Sequence, residues 1–220
     1  CQIDLDKLFQ GGYSTGHGFL REPNDIASYS ALACIAIQSN QNDQHGGQSI
    51  PNFDYAMAKG VAKTYRRLYK QNLGRALELL VDAQDGAALA EAVLEKVETA
   101  AGLGPLLADD NGYREAELPL LCDYADEKTA EKIQGFARKR ALAETDRAVY
   151  QAMEAFVHNL NTMHSRAGAQ IPFSSINYGM DTTPEGRMAM KNVLLATEAG
   201  LGNGETPIFP IQIFRVKEGV

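Results

Sequence analysis

The chain has only three cysteines, Cys1, Cys34 and Cys122, and no Cys-x-x-Cys pair. Cysteines this sparse exclude a disulfide framework and point to a reducing, cytoplasmic setting. Cations are also short: 21 Lys and Arg stand against 28 Asp and Glu, a net charge of -7. That balance argues against a nucleic-acid surface, which needs clustered Lys and Arg. A nucleotide site, which needs only a few local donors, stays open. No apolar run reaches membrane-helix length, and no segment reads as a signal peptide. None of His17, His45, His158 and His164 has metal-ligand spacing with a nearby acid. No segment carries the Gly-Lys-Ser/Thr of a Walker motif.

What is present is an ordinary globular composition. At 220 residues there is room for one large domain or two small ones. The chain starts CQIDLDKLF and ends VKEGV straight after an apolar strand. Termini are usually polar and frayed, so both ends read as cut from something longer.

Residues 1–23 mix a short apolar start with the loop GGYSTGHGFLREP. Asn24 or Asp25 caps a helix to about Gln41, with Ile26, Tyr29, Ala33 and Ala36 on one face. The amide-rich run Gln38–Gln48 then reads as a loop, closed by Gly46 and Gly47. Such a loop can read a sugar or base by hydrogen bonds, or simply be solvated. Pro51 and Asn52 lead into a long helix in which Met57, Val61, Tyr65 and Leu68 form a core stripe. An Ala- and Glu-rich helical insertion follows from Gln84 to Asn111, then helices over about 114–140 and 143–165. Arg138, Lys139 and Arg140 read as a solvated turn, with phosphate attraction as the alternative. Cys34 and Cys122 both sit in apolar runs and are expected in the core. His158 and His164 fall on the polar side of a helix. His17 and His45 sit in glycine-rich loops, where a loop residue can meet a ligand.

The C-terminal third is the most informative part. AQIPFSSINYGM (169–180) reads as a strand, with Ser174, Ser175 and Asn177 in its C-terminal half, the end where open α/β sheets bind ligands. Thr182 or Thr183 caps a helix with Pro184 and Glu185 in its first turn. PIFPIQIFRV (207–216) reads as a strand buried on both faces. Strand, helix, strand is a crossover unit of a parallel sheet, so the class is α/β with predominant helix. Between that helix and the last strand lie Gly200, Gly202 and Gly204, with Asn203 and Glu205. Gly200 alone can be a helix cap. Three glycines on alternate positions also suit backbone brought close to a flat ligand. Both readings stand on the sequence.

Three segments carry a resemblance: QNDQHGGQSIPNFDYAMAKGVAKTYRR, SSINYGMDTTPEGR and LLATEAGLGNGETPIFPIQIF. Through them the chain closely resembles the anaerobic (class III) ribonucleoside-triphosphate reductases, from CQIDL to FRVKEGV. The resemblance implies that residues 1–220 are the N-terminal part of a ten-stranded α/β barrel, with about 84–165 a peripheral helical part. It implies a homodimer in the cytoplasm that reduces ribonucleoside triphosphates. It also implies a glycyl radical installed by an S-adenosylmethionine/iron–sulfur activase, a thiyl radical on a barrel cysteine, formate as reductant and ATP or dNTP effectors. No partner nucleic acid or membrane is implied. The family's thiyl cysteine, glycyl radical domain, C-terminal zinc-binding cysteines and ATP-cone match nothing in this sequence, so this stretch alone is expected to be inactive. A cysteine pair precedes the family's Gln-Ile-Asp-Leu-like start, one member being in the active site. Cys1 is the catalytic-site candidate it supplies, read as the pair's second, non-catalytic member. Arg21, Glu22 and Asn24 match the effector region at the dimer interface, with Asp25 and Gln38 beside them. Ser174, Ser175, Asn177, Gly200, Gly202, Asn203 and Gly204 match strand ends and a loop near substrate. A different glycyl radical enzyme of formate-lyase type, or a nucleotide-binding or dimerisation module built on helices 24–41 and 53–82, are the alternatives. A half-barrel leaves an open sheet edge, which predicts self-association.

Overall fold

A computed structural model describes residues 1–15, 18–44, 46–164 and 170–219. His17 and His45, the two loop histidines, lie outside the described residues. The fold is helix-rich α/β with small sheets. It divides into two compact units, Cys1–Val61 with Arg147–Val220, and Ala62–Asp146.

The first unit is built on a parallel sheet. Strands β3 (Gln48–Ile50), β4 (Ser174–Tyr178) and β5 (Ile211–Phe214) lie in that order. Their registers align Ser49 with Ser175, and Ser175 with Ile211. A parallel bridge from Gln2 to Ser49 adds the N-terminal segment on the other side of β3. Successive strand residues face opposite ways, so the sheet has two distinct faces. Gln48, Ile50, Ser174, Ile176 and Tyr178 are buried on one. Ser49, Ser175 and Asn177 are half-buried on the other.

Helix α1 (Leu5–Phe9) is capped by Asp4 and precedes a short antiparallel ribbon of β1 (Tyr13–Ser14) and β2 (Phe19–Leu20). The expected loop therefore contains paired backbone. Helix α2 (Ile26–Asp43) starts where Asp25 accepts the Ser28 N–H at 2.8 Å. Its buried face includes Ile26, Tyr29, Ala33, Cys34 and Ile37. Burial pushes the Cys34 thiol up to about 12, which leaves it an inert core group. The helix does not stop at the amide run: Gln38–Asp43 form its end, because Gln41 is buried and holds the turn inward. Helix α3 (Phe53–Val81) belongs to this unit only at its start, where Phe53 and Met57 are buried. Helix α7 (Pro184–Ala199) is capped by Thr183, whose hydroxyl accepts the Gly186 N–H at 3.2 Å.

The second unit is helical. It holds the rest of α3, α4 (Gly86–Ala101), α5 (Tyr113–Cys122) and the first part of α6 (Glu127–Thr162). Two expectations change here. The break falls at about 123–126 rather than near 141, because Asp126 caps α6 by accepting the Thr129 N–H at 3.3 Å. Arg138, Lys139 and Arg140 are thus mid-helix, not a turn. Arg138 pairs with Asp109 at 3.5 Å and donates to the Leu107 carbonyl at 3.1 Å. Arg140 lies 3.5 Å from Glu144 one turn on. Cys122 is exposed, contrary to expectation, because α5 buries Tyr113, Glu117 and Leu121 and so turns the next position outward. Glu117 accepts from Tyr69 at 2.7 Å, Tyr113 at 2.8 Å and Gln134 at 2.8 Å.

The last strand also departs from expectation. Ile211, Ile213 and Phe214 are 57%, 45% and 60% exposed. Its apolar sequence suits burial on both faces, but β5 is the edge of the described sheet, where Phe214 meets Tyr178 edge to face and Gln212, bonded to Thr197, is half-buried. Among the described residues no helix is long and apolar enough to cross a membrane.

Candidate functional site

A cavity of about 730 Å³ opens at the starts of the three parallel strands. Gln48 and Ser49 reach it from β3, Ser174 and Ser175 from β4, and Ile211 from β5. Gln41 at the end of α2, together with Cys1 and Gln2, completes one side. Phe173 and Phe209 form an aromatic wall, their rings edge to face at 5.1 Å. Among the described residues no lining side chain is a carboxylate, ammonium, guanidinium or imidazole. Amides, hydroxyls and aromatic faces make up most of the side chains that remain, with the Cys1 thiol and Ile211.

This location corrects one expectation. Because β4 begins at Ser174, the two serines open the strand instead of lying in its C-terminal half. The Ser174 Oγ is buried with no hydrogen-bond partner among the described residues. The same holds for Asn177 Oδ1, farther along β4 beside Ile213. An unpaired buried oxygen is costly, so each is a position where a donor would be stabilising. Asn177 shares the open sheet face with Ser175 but does not line the cavity.

Cys1 lines the cavity and is exposed. Its carbonyl accepts the Ser49 N–H at 2.8 Å, while Ile3 donates to the Ser49 carbonyl at 2.7 Å. By strand alternation Gln2 shares the face of Ser49, and Cys1, though exposed, falls on the side of Gln48.

The glycine loop closes on itself. Leu201 donates to the Glu205 carbonyl at 2.8 Å and Gly204 to the Leu201 carbonyl at 2.6 Å. Asn203 donates to the Glu205 carboxylate from its backbone at 3.0 Å and its amide at 3.1 Å, which holds that carboxyl below the usual range. Gly200 has φ 78° and ψ -170°. That is a region open essentially to glycine alone, and not the left-handed conformation of an ordinary helix cap. A Cβ there would stand 2.8 Å from the Glu205 carbonyl oxygen. Gly202 differs, since a Cβ would meet nothing within 4 Å. Its missing side chain serves no fold requirement and leaves the loop surface bare. The loop lines no part of the cavity, but the segment it leads into supplies Phe209 and Ile211.

Arg21, Glu22, Asn24 and Asp25 are brought together around a second cavity of about 340 Å³, at the start of α2. Gln38 is not part of it. Thirteen residues on from Asp25, it lies about 20 Å along the helix. Its Nε2 is buried without a partner among the described residues.

Sequence reasoning missed three contributors. Gln48, masked in the amide run, is fixed by a hydrogen bond from Asn40. His158, read as ordinary, has Nε2 3.4 Å from the Gly200 carbonyl. Asn161 holds the segment before β5. Asn and His at helix positions three apart were the visible signal, but their partners are distant in sequence. Among the described residues no group of three or more His, Cys, Asp or Glu is placed to hold a metal ion.

Comparison with known proteins fits this picture. The family model described as anaerobic ribonucleoside-triphosphate reductase matches residues 1–220. Proteins of that name are similar along nearly the whole chain. The one from Haemophilus influenzae is 29% identical over 99% of this chain and 23% of its own length. The bacteriophage T4 protein is 26% identical over 100% and 27%. The Salmonella typhimurium protein is 23% identical over 99% and 23%. The chain thus spans about a quarter of the length of the curated relatives it matches. It belongs to the anaerobic ribonucleoside-triphosphate reductase family.

Proposed function

We propose that this chain contributes the substrate- and effector-binding part of an anaerobic ribonucleoside-triphosphate reductase, within an α/β barrel of the glycyl radical type. The observation that carries this reading is the cavity, free of charged side chains among the described residues, where Ser174 and Ser175 meet Gln48 and the Phe173–Phe209 wall. Amides and hydroxyls read base and sugar edges, and aromatic faces stack on a base. A triphosphate needs cations or backbone N–H donors instead. The cavity therefore suits the nucleoside end of the substrate, with Asn177 and the open face of β4 beside it.

The reacting thiol, the glycyl radical residue, the zinc ligands and the formate site are assigned to no residue of this chain. When present, the radical supplies hydrogen abstraction from the ribose, and an activase installs it. Residues described here would bind, orient and exclude water.

The cavity at Arg21, Glu22, Asn24 and Asp25 supports an effector site, with Arg21 as the cation for phosphate. Homodimer formation is supported by α2, which leaves Ala27, Ala31 and Ile35 exposed at helical spacing. Effector bound there would bias the Gly200–Glu205 loop through differential affinity for two loop arrangements. The experiment is hydrogen exchange of the full-length dimer with and without saturating deoxynucleotide. Slower exchange at Leu201 and Gly204 supports the coupling; unchanged exchange sinks it.

A further inference from the structure

The end of α6 holds both ends of the glycine-loop segment. His158 Nε2 lies 3.4 Å from the Gly200 carbonyl, where an Nε2–H donates to it. One turn on, Asn161 Oδ1 accepts the Ile208 N–H at 2.9 Å and the Phe209 N–H at 3.1 Å. Its Nδ2 donates to the Phe209 carbonyl at 2.5 Å and to Val157 at 2.7 Å. A side-chain amide has two acceptor lone pairs and two N–H donors, and Asn161 spends three of these four on this one junction and the fourth on the Val157 carbonyl of its own helix.

Phe209 is the residue so gripped, and it is also a wall of the nucleoside cavity, buried to 6% exposure. Between the two anchors the loop is tied internally through Leu201, Gly204 and Glu205. Only Thr206, Pro207 and Ile208 separate the tied loop from Phe209, a short link through which a shift of the loop reaches the wall. We infer that Asn161 is a positioning residue for substrate, with His158 as the second anchor. Together they set the distance between the loop and the aromatic wall, so loop order and cavity shape change together. This rests on the reading of the cavity as the nucleoside site.

The test uses Asn161→Ala in the full-length protein without radical activation, so that binding is measured without turnover. A core variant in the helical unit, Val93→Ala, serves as control for general destabilisation. Two readouts are taken: amide exchange at residue resolution, and the Kd for a ribonucleoside triphosphate by calorimetry. Asn161→Ala is expected to speed exchange at Ile208 and Phe209, and also at Leu201 and Gly204, by about tenfold, and to weaken binding by about tenfold. Val93→Ala is expected to move neither. The inference is overturned if Leu201 and Gly204 keep wild-type exchange while Ile208 and Phe209 open, or if Kd is unchanged. His158→Ala, which removes one longer contact, should open Leu201 first, and equal protection there in variant and wild type also counts against it. If the unmodified protein binds no ribonucleoside triphosphate, it is the nucleoside reading that falls, while the exchange arm still judges the anchoring.

Discussion

Asp54 holds Asp181 by its backbone: Oδ2 accepts the Asp181 N–H at 2.9 Å across 127 residues of sequence. The same oxygen accepts from Gly179 and Met180, each at 2.9 Å, and Oδ1 accepts from Tyr55 at 3.0 Å. One carboxylate in the first turn of α3 thereby sets how the chain leaves β4 and enters α7. Asp181 in turn accepts the Thr183 N–H at 2.9 Å and packs against Gly186, where a Cβ would come within 2.5 Å of its carboxyl.

Asp54→Ala would strand the buried Asp181 N–H and the part-buried ones of Gly179 and Met180, and is expected to cost roughly 3 kcal/mol. Asp54→Asn keeps one acceptor without the charge and should lose about half as much. Urea denaturation of both variants checks the order. Equal stability of Asp54→Ala and wild type would contradict the assignment.

Glu117 gives a pH dependence. Burial lifts its carboxyl above the ordinary 4.5, against the pull of hydrogen bonds from Tyr69, Tyr113 and Gln134. A raised acid is better held protonated in the folded state. Its stabilisation is complete below 4.5 and is lost as pH rises through the folded-state value. Relative to Glu117→Gln, which cannot ionise, the wild type is expected to lose stability as pH rises above 4.5. Urea midpoints across that range test it, and parallel profiles would be the contrary outcome.

The glycine loop separates shape from contact. Gly200→Ala places a Cβ in a forbidden conformation against Glu205 and should cost about 1 to 3 kcal/mol. Gly202→Ala meets open space and should leave stability within about 0.5 kcal/mol. If the loop approaches ligand, Gly202→Ala nevertheless weakens nucleotide binding in the full-length protein. Unchanged affinity would leave Gly202 with no role at the site.

Much of this architecture was legible because it is local. Asp25 and Thr183 announced the starts of α2 and α7, and the apolar periodicity of α3 was unambiguous. The end of α2 was not legible: Asn and Gln look like loop residues until Gln41 is seen buried. Strand β3, at three residues, is too short to show alternation. The break before α6 had a signal, Asp126 three residues before Thr129, but continuous charge on both sides obscured it. For the site, Ser174 and Ser175 were found with their segment, and the end of the strand was misjudged. Asp54 and Asn161 act over 125 and 48 residues, distances at which one sequence carries no pairing information.

The exposed edge of β5 is a solution property to be measured. An apolar edge strand templates pairing with another chain. Concentration-dependent association is expected in sedimentation equilibrium, and Ile213→Lys, at a position 45% exposed, should reduce it without unfolding the chain. A wild type that stays monomeric at every concentration would show that the edge is protected.

The central claim is best tested by product formation. The full-length protein containing this chain is activated anaerobically, given a ribonucleoside triphosphate and a reductant, and assayed for 2′-deoxyribonucleoside triphosphate. The expected result is product, with Ser175→Ala raising KM about five- to tenfold and changing kcat little. An activated protein that forms no deoxynucleotide, or a Ser175→Ala variant with an unaltered KM, would contradict the account.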